Sequence, residues 1–174
     1  IFDLEKFATQ FAIIDLMDGY HAVAGNSIYY FNPITNLIEP ITREYNSLRF
    51  SEILPYGDEL MIDRYRGEVG VLGSDWIFAN KLFQNKEFTA QYLTQLIKLT
   101  DQKYLDEFFE DVDEDLNIQK KILYRDDPFY KFPKEYMYEK QKQIIGGLNQ
   151  DLNIVANIDE DNLALYNIKF RNNS

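Results

Sequence analysis

Residues 26–41 read Asn-Ser-Ile-Tyr-Tyr-Phe-Asn-Pro-Ile-Thr-Asn-Leu-Ile-Glu-Pro-Ile, and this stretch decides much of the fold. Its first part, residues 26–31, is rich in β-branched and aromatic side chains, a composition typical of a β-strand, and residues 37–41 form a second apolar run. Asn and Pro residues between the two runs favour a turn over residues 32–36. We therefore predict a β-hairpin here.

Helical spacing of apolar residues governs most of the remaining chain. A first helix is expected to begin after Asp3, a candidate N-cap, and to end near Gly19. The same spacing predicts further helices from Ser74 to about Leu82, from Phe88 to Leu99, from Asp101 to Val112 and from Lys134 to Leu148. Residues 42–73 are rich in Gly and are expected to form a long, partly irregular connection. The predicted fold class is α+β, mainly α.

Length and composition restrict the possible functions. A chain of 174 residues with 45% hydrophobic residues suits one folded domain. Its net charge of −11 disfavours binding to nucleic acids or anionic lipids, and the absence of Cys excludes thiol chemistry. No apolar run is long enough to span a bilayer. Residues 1–150 are expected to form one unit, and residues 151–174 a strand-like tail, for which one interpretation is the start of a following domain.

Three segments, residues 15–21, 26–35 and 37–46, together resemble the CotH kinase family, the atypical protein kinases similar to spore coat protein H. The order of parts is what matches: a helix, a loop ending in Asn, and a short hairpin with an Asn-Pro turn. The resemblance implies the C-terminal lobe of a kinase-like fold over residues 1–150. It also implies transfer of the ATP γ-phosphoryl group to a protein hydroxyl with Mg²⁺ or Mn²⁺, by a bacterial protein in a secreted, spore-coat or cell-surface setting.

The resemblance suggests Asn26 and Glu44 as metal ligands, with Asp18 or His21 near the acceptor hydroxyl. Closure of an antiparallel hairpin brings the loop before its first strand and the loop after its second strand to the same end, and oxygen ligands suit Mg²⁺. Structural roles remain open for all four residues. In the structural interpretation, His21 is a residue typical of a helix end, and Asp18, like Asp15, is an exposed residue beside a helix terminus. Asn26 is then a turn residue, and Glu44 an ion-pair partner of a nearby Arg.

Other parts of a kinase are not identifiable. The chain has no Gly-rich phosphate loop in a strand-to-helix context and no strand-borne Lys, so we expect an upstream lobe to lie outside these residues, which read as part of a longer protein. Enzymatic activity stays open. The alternative is a non-catalytic, pseudokinase-like scaffold that binds a spore-coat or cell-surface protein. The acceptor protein and the oligomeric state do not follow from the sequence.

The acidic run over residues 107–115 has carboxylates at the spacing that opens an EF-hand loop. Leu116 stands where that loop needs Gly, and Ile122 stands where it needs Glu. We therefore interpret the run as a solvated helix end rather than as a calcium site.

Overall fold

A computed structural model describes residues 1–23, 26–43, 45, 60–66, 74–132 and 134–151. This part of the chain is mainly helical (68%) and contains one two-stranded antiparallel sheet. The elements follow in the order α1 (Leu4–Met17), a 3₁₀ turn (Tyr20–Ala22), β1 (Ile28–Asn32), β2 (Leu37–Ile41), α2 (Met61–Arg66), α3 (Ser74–Phe83), α4 (Lys86–Leu99), α5 (Gln102–Asp111), α6 (Asp113–Asp126) and α7 (Lys134–Asp151). The predicted α+β class, mainly α, is confirmed.

Helix α1 is the central element of the fold. Asp3 caps it by accepting a hydrogen bond from the backbone N–H of Lys6, as its sequence predicts. It packs mainly against α4 and also against α7, β2 and α2. The faces that meet are apolar and aromatic: the ring of Phe11 makes edge contacts with Phe88, which in turn packs on Phe83. Burial of these rings is the main stabilising contribution, because each removes a large apolar area from water.

The predicted hairpin is also confirmed. Strand β1 pairs antiparallel with β2, with Ile28 opposite Ile41 at the open end and Asn32 opposite Leu37 beside the turn. Asn36 adopts a left-handed conformation with φ 56°, which Asn tolerates better than most residues. A backbone hydrogen bond from the N–H of Asp3 to the carbonyl of Ile38 joins β2 to the start of α1. The hairpin is thereby held along α1, with its open end towards the C-terminus of that helix.

The structure adds two helices that the sequence pattern did not indicate. Helix α2 lies inside the predicted irregular connection, and its buried residues Met61, Ile62 and Tyr65 join the core. Helix α6 follows α5 directly and buries no residue. The rest of the connection, apart from residues 42, 43, 45 and 60, and the predicted tail from residue 152 onward lie outside the described residues.

The acidic run over residues 107–115 spans the last turn of α5 and the first turn of α6, with its carboxylates exposed. This is the solvated helix end that the sequence predicts. Within the described ranges, no helix combines the length and the apolar character needed to cross a bilayer.

Candidate functional site

The C-terminus of α1 provides the framework of the candidate site. The backbone N–H of Asp18 donates to the carbonyl of Asp15, and that of Gly19 donates to the carbonyl of Ile14. Asp18 itself is left-handed, with φ 54°. These bonds form the Schellman arrangement, which satisfies the last carbonyls of a helix and turns the chain away from its axis. The chain then enters the 3₁₀ turn that contains the backbone of His21.

The side chain of Asp18 is enclosed by α7. One carboxylate oxygen lies 3.3 Å from Nζ of Lys140, and the other accepts a hydrogen bond of 2.8 Å from the hydroxyl of Tyr136. Only 2% of the Lys140 side chain and 4% of the Asp18 side chain are exposed. This is a buried ion pair between two segments more than one hundred residues apart. The interpretation of Asp18 as an exposed residue beside a helix end is therefore wrong.

Asp15 forms a second buried centre one helical turn earlier. Its Oδ1 accepts hydrogen bonds from the hydroxyl of Tyr20 at 3.0 Å and from the backbone N–H of Met61 at 2.9 Å. Its Oδ2 accepts one from the hydroxyl of Tyr92. Burial raises the pKa of Asp15 from 3.8 to about 7, although these three hydrogen bonds and the charge of Lys140 act in the opposite direction. Asp15 is likewise not the exposed helix-flanking residue that its sequence position suggests.

The open end of the hairpin meets the C-terminus of α1. The hydroxyl of Ser27 donates to the carbonyls of Ala22 and Val23, at 3.4 and 3.2 Å, which ties the start of β1 to the end of the 3₁₀ turn. On the other side, the backbone of Tyr45 approaches Gly19 so closely that a Cβ on Gly19 would lie 3.1 Å from the Tyr45 Cα. The segments before β1 and after β2 therefore both reach the end of α1.

The structure describes the four predicted site residues to different extents. Asp18 is in the buried ion pair described above, and Asn26 lies half-buried immediately before Ser27, with interactions of its own. The backbone of His21 is in the 3₁₀ turn, whereas its side chain lies outside the described part of the chain, as does Glu44 entirely. Among the described residues, no group of three or more His, Cys, Asp or Glu side chains is arranged to hold a metal ion.

The sequence reading missed Lys140, Tyr136 and Tyr92 as partners of the two buried aspartates. A signal for Lys140 was present, because it lies four residues before the buried Ile144 and four after Tyr136, within the stripe of α7 that faces the core. A charged residue in such a stripe indicates a buried partner of opposite charge, since an unpaired buried ammonium group is costly. The identity of that partner could not be read from the sequence.

No protein-family model, no curated protein and no solved structure matches this chain.

Proposed function

We propose that this chain is the C-terminal lobe of a metal-dependent phosphotransferase similar to the CotH kinases, which transfers the γ-phosphoryl group of ATP to a protein hydroxyl. The observation that carries the proposal is the meeting of three segments at the end of α1. The 3₁₀ turn, the residue before β1 and the backbone after β2 are brought together by the bonds of Ser27 and by the contact between Tyr45 and Gly19. A kinase-like site needs this convergence, because its metal ligands come from both sides of a hairpin.

The donor chemistry at this end suits a magnesium or manganese ion. Asn26 offers an amide oxygen beside Ser27, and Glu44 is covalently adjacent to Tyr45, whose backbone contacts Gly19. Two protein ligands are sufficient for such an ion, because Mg²⁺ keeps several waters and takes its other ligands from phosphate oxygens. When bound, the ion would neutralise charge on the phosphates of ATP.

The two candidates for the group near the acceptor hydroxyl now differ in their support. Both carboxylate oxygens of Asp18 are engaged, one by Lys140 and one by Tyr136, and the side chain is closed off from solvent. This supports a positioning role for Asp18, in which it holds the left-handed turn that leads into residues 20–22. His21, which lies in that turn, is then the acid–base candidate of the proposed site.

A second candidate function is a non-catalytic protein-binding module, which the surface of the hairpin favours. Several large apolar side chains of the hairpin are exposed, including Phe31 at 56% and Ile34 at 90%, with Ile28, Tyr30 and Ile41 between 39% and 49%. The one charged residue of the two strands, Glu39, is already paired with Lys6. Exposed apolar surface of this kind is typical of contact sites for other proteins.

A thermal-stability titration separates the two functions. The complete gene product is titrated with Mn²⁺ and ATP, alone and together. Ligand at one hundred times its dissociation constant stabilises the folded state by about 2.7 kcal/mol, which corresponds to a rise in melting temperature on the order of 5–10 °C for a domain of this size. We expect such a rise in the natural protein and its loss in Asn26→Ala and Glu44→Ala.

Matched controls are Asn117→Ala and Glu107→Ala, which alter the same residue types on exposed faces of α6 and α5. They should leave the stabilisation unchanged. Absence of any nucleotide or metal effect in the natural protein would refute the phosphotransferase proposal and favour the binding module. An equal loss in the controls would show that the effect does not come from the proposed site.

A further inference from the structure

The outer edge of β2, on the side away from β1, is protected in the structure. The N–H of Ile38 donates to the carbonyl of Ile1 at 2.7 Å, and its carbonyl accepts from the N–H of Asp3 at 2.9 Å. Pro40, two residues further along this edge, has no N–H to offer. Soluble proteins commonly cover or block edge strands in these ways, because free backbone groups at an edge can pair with another strand.

The outer edge of β1, on the side away from β2, has a different character. In an antiparallel pair, residues whose N–H and C=O bond to the partner strand alternate with residues whose N–H and C=O point away from it. The backbone groups of Ile38 point away from β1, so those of its partner Phe31 point away from β2. Within the described part of the chain the sheet has two strands, and no third strand pairs with this edge.

The sequence of β1 offers none of the usual protection against pairing. Its residues, Ile-Tyr-Tyr-Phe-Asn, include no charged residue and no Pro, and most of them have a high propensity for strands. The side chain of Phe31 is 56% exposed. Tyr29 packs on the rings of Phe7 and Phe78, so the accessible part of β1 is its half nearest the turn, around Phe31.

The hairpin carries little of the negative charge of the chain. With a net charge of −11, two copies repel each other at long range. Residues 28–43 contain only one acidic and one basic residue, Glu39 and Arg43, and Glu39 is paired with Lys6 at 2.7 Å. Two hairpins can therefore meet edge to edge without placing like charges against each other.

We propose that the outer edge of β1 pairs with the same edge of a second copy, antiparallel and about a two-fold axis at Phe31, to form a four-stranded sheet. The arrangement is self-complementary, because the Phe31 N–H of each copy donates to the Phe31 carbonyl of the other. The two Phe31 side chains then lie opposite each other. A second copy is the occupant because each copy brings the same uncharged strand with the same open backbone groups.

This pairing goes beyond the proposed phosphotransfer, whose site lies at the other end of the hairpin. It also gives the exposed hairpin surface of the binding-module candidate a defined partner. The interface is small, so the dimer should be weak and reversible. A natural protein that does not dimerise would overturn the pairing and leave the titration with Mn²⁺ and ATP unaffected, so that the two failures are distinguishable.

Sedimentation velocity of the complete gene product over a range of concentrations tests the proposal. The natural protein should form a concentration-dependent dimer. Phe31→Lys should weaken the association on the order of 10-fold or more, because it removes the facing rings and sets two like charges opposite each other. Phe31→Glu should do the same. An equimolar mixture of the two variants should form the dimer again, since opposite charges then face each other across the axis.

Ile34→Lys is the matched control, because Ile34 is 90% exposed in the turn of the same hairpin but lies outside the strands. It should dimerise like the natural protein. Phe31→Pro tests the backbone contact separately. It removes an N–H that the ladder between β1 and β2 does not use, so the hairpin should persist, as its circular dichroism would show, while the dimer is lost.

The salt dependence provides a further readout. Added NaCl should tighten the dimer, because it screens the repulsion between two acidic chains and the interface contains no ion pair to weaken. A natural protein that stays monomeric up to about 1 mM would overturn the proposal. So would a dimer that Phe31→Lys leaves intact, an equal loss in Ile34→Lys, a mixture of the two charged variants that stays monomeric, or a dimer that salt dissociates.

Discussion

Replacement of Lys140 by Met tests how α7 is held to the end of α1. Met is close to Lys in length and apolar, so that it fills the same space without the ammonium group. The change leaves the carboxylate of Asp18 buried, with Tyr136 as its remaining partner from α7. We expect a strong loss of stability, because a buried charge without its counter-ion keeps its desolvation cost and loses its compensation.

The size of the effect follows from the geometry. At a separation of 3.3 Å and an effective dielectric constant of about 20, the attraction between the two charges is on the order of 5 kcal/mol. Removal of one partner from a buried ion pair typically costs about 3–5 kcal/mol. This is a large part of the total stability of a domain, which is about 5–15 kcal/mol. The denaturation midpoint in urea should therefore shift by on the order of 2 M.

Equilibrium unfolding in urea, followed by fluorescence or circular dichroism, measures this shift in a double-mutant cycle. Asp18→Asn is the appropriate second change, because Asn accepts the left-handed backbone that residue 18 adopts. Each single variant should lose about 3–5 kcal/mol, and the double variant should lose much less than their sum, since it buries no unpaired charge. Lys142→Met, on the exposed side of the same helix, should change stability by less than about 0.5 kcal/mol.

Additive losses in this cycle would refute the reasoning, since they would mean that the two charges do not interact. Equal losses in Lys140→Met and Lys142→Met would refute it as well. In either case the ion pair would not be what holds α7 to the end of α1, and the positioning role of Asp18 would have no support.

Three further changes give expected outcomes in the same unfolding assay. Gly19→Ala puts a Cβ 3.1 Å from the Cα of Tyr45, so that the Tyr45 backbone must shift by a few tenths of an ångström; we expect a loss of stability on the order of 1 kcal/mol, and a gain would contradict that close contact. Gly146→Ala, in α7, has nothing within 4 Å of the new Cβ and should stabilise by about 0.5–1 kcal/mol through helix propensity, so a loss would contradict the open surroundings of this position. Asn85→Ala removes the side chain that accepts from two backbone N–H groups at the start of α4 and should cost about 1 kcal/mol, whereas Asn85→Asp should retain the cap.

Local patterns predicted most of the secondary structure. The helices α1, α3, α4, α5 and α7 and the hairpin all appear where apolar spacing and turn residues indicate them. Helix α6 was not predicted, and it buries no residue fully: Ile118 and Ile122 remain about half exposed, and Leu116 is only partly buried against the core. Helix α2 was not predicted because six residues are too few for a periodic signal. The burial of Met61 and Tyr65 in the core stabilises it.

The candidate site was predictable only in outline. Hairpin closure predicts that the segments around Asn26 and after β2 lie at one end, and the hydrogen bonds of the Ser27 hydroxyl and the backbone contact of Tyr45 agree with that expectation. The roles of Asn26, Glu44 and His21 stay predictions. The environment of Asp18 was not predictable, because its partners come from α7, and sequence spacing carries no information on which helices meet.

The sequence by itself therefore determined the local elements, since helix caps, apolar periodicity and turn residues act between neighbours along the chain. Only the tertiary structure decided that Asp15 and Asp18 are buried, which partners satisfy them, and that Lys140 faces inward. The physical reason is that desolvation and ion pairing depend on distances in space. Helices far apart in sequence enclose the same carboxylates, so the spacing of residues along the chain does not reveal that enclosure.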